Sequence, residues 1–284
     1  MLNFCIAFIM FGVALALKLE DFKRIAEYPK AVLIGIICQF ILLPLFTYLL
    51  IYIWEPIPSM ALGMMMVAAC PGGNVSNFFS LQSGGNVALS VTLTAFATMM
   101  AVVATPFNLY FYGSLYEPTA TIIQNVNLDF AEALKTVFVI LGIPLFAGLL
   151  IRQYNDVWAE KYGDLIRKIS IGIFIAFIIL AFSSNYNNFI QYISYAFILV
   201  AIHNAMAFCI GYYSAQLAKL DAPDRRSIAI ETGIQNSGLG LLLVFTFFNG
   251  LGGMALVVAW WGIWHLVSGL ALSYFWSSRK IPAV

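Results

Sequence analysis

Charged residues are scarce in this chain. Lysine, arginine, aspartate and glutamate make up 10% of its 284 residues, whereas about a quarter is typical of soluble domains. The formal net charge is +1, so the composition does not indicate that the protein binds nucleic acid. With 62% hydrophobic residues, the chain is expected to lie in a lipid bilayer rather than in water.

Histidine and cysteine are also rare, which argues against most enzyme chemistry. The only histidines are His203 and His265, and the sequence has no Ser–His–Asp set, metal motif or phosphate loop. Cys5, Cys38, Cys70 and Cys209 lie in apolar runs without the spacing of metal ligands. They are interpreted as small buried hydrophobic residues. The sequence therefore predicts that the protein is not an enzyme.

Long apolar runs recur along the whole chain and predict an all-α membrane protein. Bilayers admit helices or closed barrels, and these runs are too long and unbroken for barrel strands. Nine transmembrane helices are expected, at about residues 2–17, 30–53, 59–83, 86–112, 129–151, 165–185, 189–218, 225–249 and 253–277.

Basic residues are distributed unevenly between the predicted loops. Of the 14 lysine and arginine residues, all except Lys135 fall in loops 18–30, 152–168 and 219–226 or in the tail 279–284. Cytoplasmic loops carry an excess of basic residues, so the C-terminus is expected in the cytoplasm and the N-terminus outside.

Two predicted spans contain helix-breaking residues at their midpoints. The third contains Pro71-Gly72-Gly73, and the eighth contains Gly233 and Gly238 on either side of a polar segment. Proline removes a backbone donor and glycine lowers helix propensity, so both helices are expected to be discontinuous. They lie five spans apart and therefore cross the membrane in opposite directions. This arrangement indicates inverted repeats and a secondary transporter whose binding site lies at the breaks.

Of the 13 acidic residues, 12 lie in predicted loops or at the ends of predicted spans, and Glu231 alone lies well inside a span, in the segment ETGIQNSG. A charge at that depth costs roughly 2.5–3.5 kcal/mol on insertion scales, so Glu231 must face partners or water. A broken helix also leaves free carbonyls that attract cations and free amides that attract anions. Glu231 is therefore interpreted as a cation ligand. A structural carboxylate bonded to a neighbouring helix is the alternative.

Several motifs in this sequence resemble the bile acid:sodium symporter family. They are CPGGNVSN at 70–77, GNVALSVTLT at 85–94, ETGIQNSG at 231–238 and WH at 264–265. The resemblance covers nearly the whole chain, as a single transporter domain. It implies two crossing discontinuous helices and two inverted repeats, about 2–112 and 129–277, without the first helix of the ten-helix bacterial fold. It also implies a core domain, formed by spans 30–112 and 189–277, and a panel domain, formed by spans 2–17 and 129–185.

The resemblance further implies two sodium sites and a substrate site. The first sodium site would consist of Ser76, Asn77, Ser90, Thr94 and Glu231. The second would consist of Gln39, Glu231, Thr232, Ile234 and Gln235, with Thr232 and Ile234 acting through their carbonyl groups. Substrate would be held by Asn74, Val75, Asn236, Ser237 and His265. Leu266 stands where bacterial relatives are expected to carry an amide.

The predicted function is therefore a symporter that imports an organic anion with two sodium ions, by alternating access. The anion would be a bile acid, a sterol conjugate or a small carboxylate, and the lipid bilayer of a plasma or bacterial inner membrane would surround the protein. One alternative is a proton-coupled organic anion carrier in which Glu231 titrates. The other is a channel-like or sensor membrane protein that holds a structural cation.

Overall fold

The computed structural model describes residues 2–15, 17, 27–126, 130–184 and 186–278, and this part of the chain is mostly helical. Its helices are α1 (Leu2–Ala14), α2 (Pro29–Trp54), α3 (Pro58–Ala69), α4 (Val75–Gln82), α5 (Val87–Leu115), α6 (Glu117–Asn125), α7 (Phe130–Tyr154), α8 (Asp156–Ser184), α9 (Tyr186–Leu217), α10 (Ala222–Gly233), α11 (Ser237–Phe248) and α12 (Gly252–Ser277). Within the described residues, five segments are long and apolar enough to cross a membrane: α2, α5, α7, α12 and the part of α9 from Ile190 to Leu217.

Both predicted helix breaks are present. The first separates α3 from α4, and the second separates α10 from α11. Cys70 and Ile234, which directly follow α3 and α10, have extended backbone conformations that end the helices. The glycine and proline pattern of the sequence therefore located both interruptions.

The two unwound segments pair with each other in an antiparallel arrangement. The backbone amide of Gly73 donates to the carbonyl of Ile234 at 2.8 Å, and the amide of Asn236 donates to the carbonyl of Pro71 at 2.8 Å. These hydrogen bonds satisfy polar groups that a broken helix would otherwise leave without a partner in an apolar interior. The pairing fixes the two breaks against each other.

The first half of the first broken helix, α3, is enclosed by other helices. The sequence of α3 is apolar or small on every side, and its residues from Met60 to Ala69 are all buried. A helix that is hydrophobic all round is expected to be enclosed by others. In this structure α3 packs mainly against α12 and α5, while α10 packs against α9 and α1 packs against α7 and α8.

α2 contains a π-helical turn at Cys38–Leu42, shortly before Pro44. Because proline has no backbone N–H, the carbonyl of Phe40 lacks its usual helical donor. That carbonyl accepts a hydrogen bond from the side chain of Asn108 at 3.0 Å. The π turn includes the buried Gln39. Such turns are frequent at functional sites. The apolar pattern of the predicted span 30–53 does not indicate this turn.

Two predicted loops are wrong because they contain helices. The loop 152–168 is reduced to Asn155, since α8 begins nine residues earlier than predicted at Asp156. Charged residues of this extension pair with Arg152, whose nitrogens lie 3.0 Å from Asp156 and 3.5 Å from Glu160. A polar helix can continue past the membrane, and the apolar pattern alone does not detect it.

The second of these loops, 113–128, contains α6. Glu117 and Pro118 occupy its first turn, where an acidic residue complements the helix dipole and proline loses no hydrogen bond. The hydroxyl of Thr119 also donates to the carbonyl of Gly113 at 2.6 Å. These local signals favour a short helix between the fourth and fifth predicted spans.

The cysteine prediction is correct for two residues and wrong for a third. Cys38 and Cys70 are buried, whereas Cys209 is exposed on α9. Several basic residues used for the orientation, Lys18, Lys23, Arg24, Arg279 and Lys280, lie outside the described residues. The orientation therefore stays a prediction.

Candidate functional site

Glu231 lies in the last turn of α10, beside the break of the other discontinuous helix. Its side chain is buried, with 3% of the residue exposed. A methyl group on Gly72 would lie 2.2 Å from Glu231 Oε1. Only glycine allows the backbone to approach the carboxylate so closely, which explains one of the paired glycines in the motif.

Three hydroxyl groups donate hydrogen bonds to the Glu231 carboxylate. Ser76 lies 2.5 Å from Oε2, Ser90 lies 3.3 Å from Oε2, and Thr94 lies 2.8 Å from Oε1. Asn77 Oδ1 is 3.4 Å from the Thr94 hydroxyl. The structure thus brings all five residues of the first predicted sodium set into one group, called here the Glu231 cluster.

The Glu231 cluster has more oxygen atoms that accept hydrogen bonds than hydroxyl protons that can be donated to them. Each hydroxyl carries one proton, and an ionised carboxylate only accepts. Once Ser76 and Thr94 donate to Glu231, no proton remains for the 3.3 Å contact between their hydroxyl oxygens. The same holds for the 3.4 Å contact between Thr94 and Asn77 Oδ1. A cation placed among these oxygens would stabilise them.

Ser80 extends the cluster and was not predicted. It is buried, and its hydroxyl donates to the Ser90 hydroxyl at 3.1 Å. Ser76 and Ser80 are four residues apart on α4, so they share a helix face. That spacing is the signal in the sequence that could have identified Ser80.

The second predicted sodium set is also gathered at the breaks. Gln39 Nε2 donates to Gln235 Oε1 at 2.8 Å and to the carbonyl of Cys70 at 2.7 Å. Gln235 Nε2 in turn donates to Gln39 Oε1 at 3.2 Å and to the carbonyl of Thr232 at 2.7 Å. The π turn of α2 therefore positions Gln39 against the unwound segment that follows α10.

Glu231 does not join this second group. Within the described part of the chain, its carboxylate hydrogen bonds run to the Glu231 cluster and not to Gln39 or Gln235. The carbonyl of Ile234 accepts the Gly73 amide, as described above. A carbonyl oxygen has two lone pairs, so one remains on Ile234 for another partner.

A cavity of about 790 Å³ adjoins both groups. It is lined by Asn74, Val75, Asn236, Ser237 and His265, the whole predicted substrate set, and by Asn77, Thr94, Ile234, Gln235 and Leu266. Ile9, Met10 and Val13 of α1 and Ser170 of α8 line its opposite wall. None of the described residues that line it is lysine or arginine.

Two helices begin at this cavity. Asn74 precedes α4 and Asn236 precedes α11, and the Asn236 side chain accepts a hydrogen bond from the Leu239 amide at 3.0 Å. The start of a helix presents amides and the positive end of its dipole. The cavity can therefore bind an anion without a basic side chain.

Asn204 holds the end of α10 in place. Its Nδ2 donates to the carbonyl of Gly233 at 2.8 Å, and Ser268 donates to its Oδ1 at 2.5 Å. Neighbouring His203 is fully buried and lies 2.7 Å from the Thr47 hydroxyl. Both side chains therefore bond within the protein.

Comparison with known proteins gives a consistent result. Residues 3–192 match the Sodium Bile acid symporter family. The chain is 32% identical over 271 residues to "Uncharacterized sodium-dependent transporter YocS" of Bacillus subtilis, covering 95% of this chain and 81% of that protein. It is 29% identical over 281 residues to "Probable sodium/metabolite cotransporter BASS2, chloroplastic" of rice, covering 98% and 64% of the two chains. It is 26% identical over 250 residues to the "Ileal sodium/bile acid cotransporter" of Cricetulus griseus, covering 87% and 70%.

Proposed function

The chain belongs to the Sodium Bile acid symporter family, and from this premise we propose that it is a symporter that imports an organic anion together with sodium. The family contains sodium-dependent transporters. Together with its long apolar helices, membership makes this chain an integral membrane protein.

The observation that carries the proposal is the proton-poor Glu231 cluster beside the cavity. The cluster combines one carboxylate with neutral hydroxyl and carboxamide oxygens. Hard oxygen ligands with a single negative charge suit an alkali cation. Bound sodium would neutralise Glu231 in the membrane interior, where an unpaired charge is costly.

We place a second sodium ion at Gln39, Thr232, Ile234 and Gln235. Gln39 and Gln235 bond each other, so binding would exchange these bonds for contacts of their carboxamide oxygens with the ion. Glu231 completed this set in the sequence analysis. A small movement of the α10 end would be needed to bring its carboxylate there.

The cavity supports alternating access. One wall comes from α1 and α8, which pack together, and the other comes from the two breaks and α12. We propose that these walls belong to the panel and core domains, within nine transmembrane spans and two inverted repeats. Movement of the core against the panel would expose the anion, held at the starts of α4 and α11, to each side in turn.

A thermal-stability measurement on the purified full-length protein tests sodium binding. NaCl should raise the unfolding temperature above that in choline chloride of equal ionic strength, because a ligand that binds only the folded state stabilises it. Proteoliposomes should then take up taurocholate, estrone sulfate or pyruvate when an inward sodium gradient is imposed. Uptake driven by a pH gradient without sodium would support the proton-coupled carrier instead.

A further inference from the structure

We propose that Asn77 couples sodium to the organic anion through the two ends of one carboxamide. Its Oδ1 would bind the ion in the Glu231 cluster, while its Nδ2 donates hydrogen bonds to the anion in the cavity. This inference rests on the proposed function, since it requires an ion in the cluster and an anion beside it.

The position of Asn77 on α4 carries the proposal. Its neighbour Ser76 is fully buried in the Glu231 cluster, and its other neighbour Phe78 is exposed and lines the cavity. Asn77 therefore lies between the side of α4 that faces the Glu231 cluster and the side that faces the cavity. It is partly exposed, it lines the cavity, and its Oδ1 lies 3.4 Å from the Thr94 hydroxyl.

The chemistry of a carboxamide makes this position useful. Its oxygen and its NH₂ group lie in one rigid plane and point in different directions within it. When Oδ1 faces the cluster, Nδ2 faces away from it, toward the cavity that Asn77 also lines. A cation bound to the oxygen polarises the group and strengthens hydrogen bonds donated by its nitrogen. Sodium binding would thereby improve the anion site directly.

Three other residues are shared by the ligand sets and the cavity wall, but Ile234 has no side-chain donor, and the donors of Thr94 and Gln235 are already used. The single proton of Thr94 is directed at Glu231, 2.8 Å away. Both donor positions of Gln235 are directed at Gln39 and at the carbonyl of Thr232. Asn77 is therefore the shared side chain that can serve ion and anion together. Its role matters more because the cavity wall contains no lysine or arginine among its described residues.

Asn77→Asp separates the two roles, because it keeps an oxygen toward the ion and replaces the donor with a second oxygen. The thermal stabilisation by NaCl, measured without anion, should be equal to that of the wild type or larger. Sodium-driven uptake of taurocholate, estrone sulfate and pyruvate should fall at least about tenfold, as expected when a charge-assisted bond is lost and replaced by repulsion. Asn249→Asp is the matched control. It adds the same charge at an exposed position after α11, and both readouts should stay at wild-type values.

Asn77→Ser provides a second variant if the aspartate variant does not fold. It removes both N–H donors and leaves a neutral oxygen nearer the backbone, so the anion KM should rise at least about tenfold, while the NaCl stabilisation should fall less than it does in Glu231→Ala. Parallel loss of sodium stabilisation and uptake in both variants would reduce Asn77 to a sodium ligand and overturn the coupling role. Wild-type uptake in both would overturn it as well. If the wild type itself transports none of the three anions with sodium, the proposed function fails for these anion classes, and the inference fails with it.

Discussion

Glu231 supplies the full negative charge of its cluster, so its replacement is the most direct test at the scale of single residues. Glu231→Gln keeps one oxygen but removes the charge, and sodium affinity should fall at least about tenfold, equivalent to about 1.4 kcal/mol. Glu231→Ala should abolish sodium-driven uptake. Both are measured by NaCl-dependent thermal stability and by proteoliposome uptake.

The control for this test is Glu117→Gln, which removes the same charge from an exposed position at the start of α6. It should leave sodium stabilisation and uptake unchanged. Normal sodium dependence in Glu231→Ala would contradict the placement of the ion, whatever the effect on protein yield.

Gly72 tests whether the geometry of the cluster matters as well as its charge. In Gly72→Ala the new methyl group would meet Glu231 Oε1 at 2.2 Å. The carboxylate or the backbone would have to shift to make room, and such overpacking typically costs about 1–3 kcal/mol of stability. We expect lower thermal stability and a loss of sodium-dependent stabilisation.

Gly163→Ala on α8 is the matched control for Gly72→Ala. No atom lies within 4 Å of a methyl group built at that position. Alanine inside a helix stabilises by roughly 0.5–1 kcal/mol relative to glycine. Its stability should therefore stay at or above the wild-type value. If both alanine variants keep the sodium response, the close approach of Gly72 and Glu231 is not required for binding.

The sequence predicted the members of the cluster better than their interactions. The resemblance brought Ser76, Ser90, Thr94 and Glu231 into one set, and the structure places them within hydrogen-bond distance. It could not predict that three hydroxyls donate to a single carboxylate, since that depends on distances set by packing. Ser80 was missed although its spacing of four residues from Ser76 is present in the sequence.

At the scale of helices, chain breaks were predictable and local distortions were not. Proline and paired glycines at Pro71-Gly72-Gly73 strongly disfavour a helix, so the break in the third span followed from these residue types. Pro44 follows the π turn at Cys38–Leu42 and is a local signal of a distortion, but the hydrogen bond from Asn108 of another helix to the carbonyl of Phe40 could not be predicted from the surrounding sequence. A contact between helices that are distant in the sequence leaves no local pattern.

Asn204 should stabilise the break of α10 through its bond to the carbonyl of Gly233. In Asn204→Leu that buried carbonyl loses its side-chain donor, at a cost of roughly 1–3 kcal/mol. We expect a lower unfolding temperature and weaker sodium-driven uptake, because the carbonyls of Thr232 and Ile234, on either side of Gly233, belong to the proposed second site.

Ser273→Ala serves as the control for this helix-end prediction. It removes another buried side-chain bond to a carbonyl, that of Leu270, within α12. Its thermal stability can fall, but the sodium response should persist. A sodium response lost equally in both variants would mean that general destabilisation, and not the end of α10, controls binding.

At the scale of the whole molecule, the orientation predicted from basic residues can be tested by labelling. A variant without Cys209 provides the background, because that thiol is exposed on α9. In right-side-out vesicles, a membrane-impermeant maleimide should label Ser114→Cys and spare Lys280→Cys until the membrane is permeabilised. Residue 114 is exposed at the end of α5. Reversed labelling would place the cytoplasm on the other side.

Charge movement tests the transport cycle itself. Two sodium ions and one monovalent anion carry a net charge of +1 inward in each cycle. An inside-negative potential contributes about 2.3 kcal/mol per 100 mV for each charge, which is roughly fiftyfold in the accumulation ratio at equilibrium. Potassium diffusion potentials set with valinomycin in proteoliposomes should therefore increase sodium-driven uptake, and its sodium dependence should be cooperative. Uptake that is cooperative in sodium but indifferent to voltage would instead indicate a divalent anion. Uptake that is neither cooperative nor voltage-dependent would indicate a single sodium ion, and the set at Gln39 and Gln235 would then have no ion to bind.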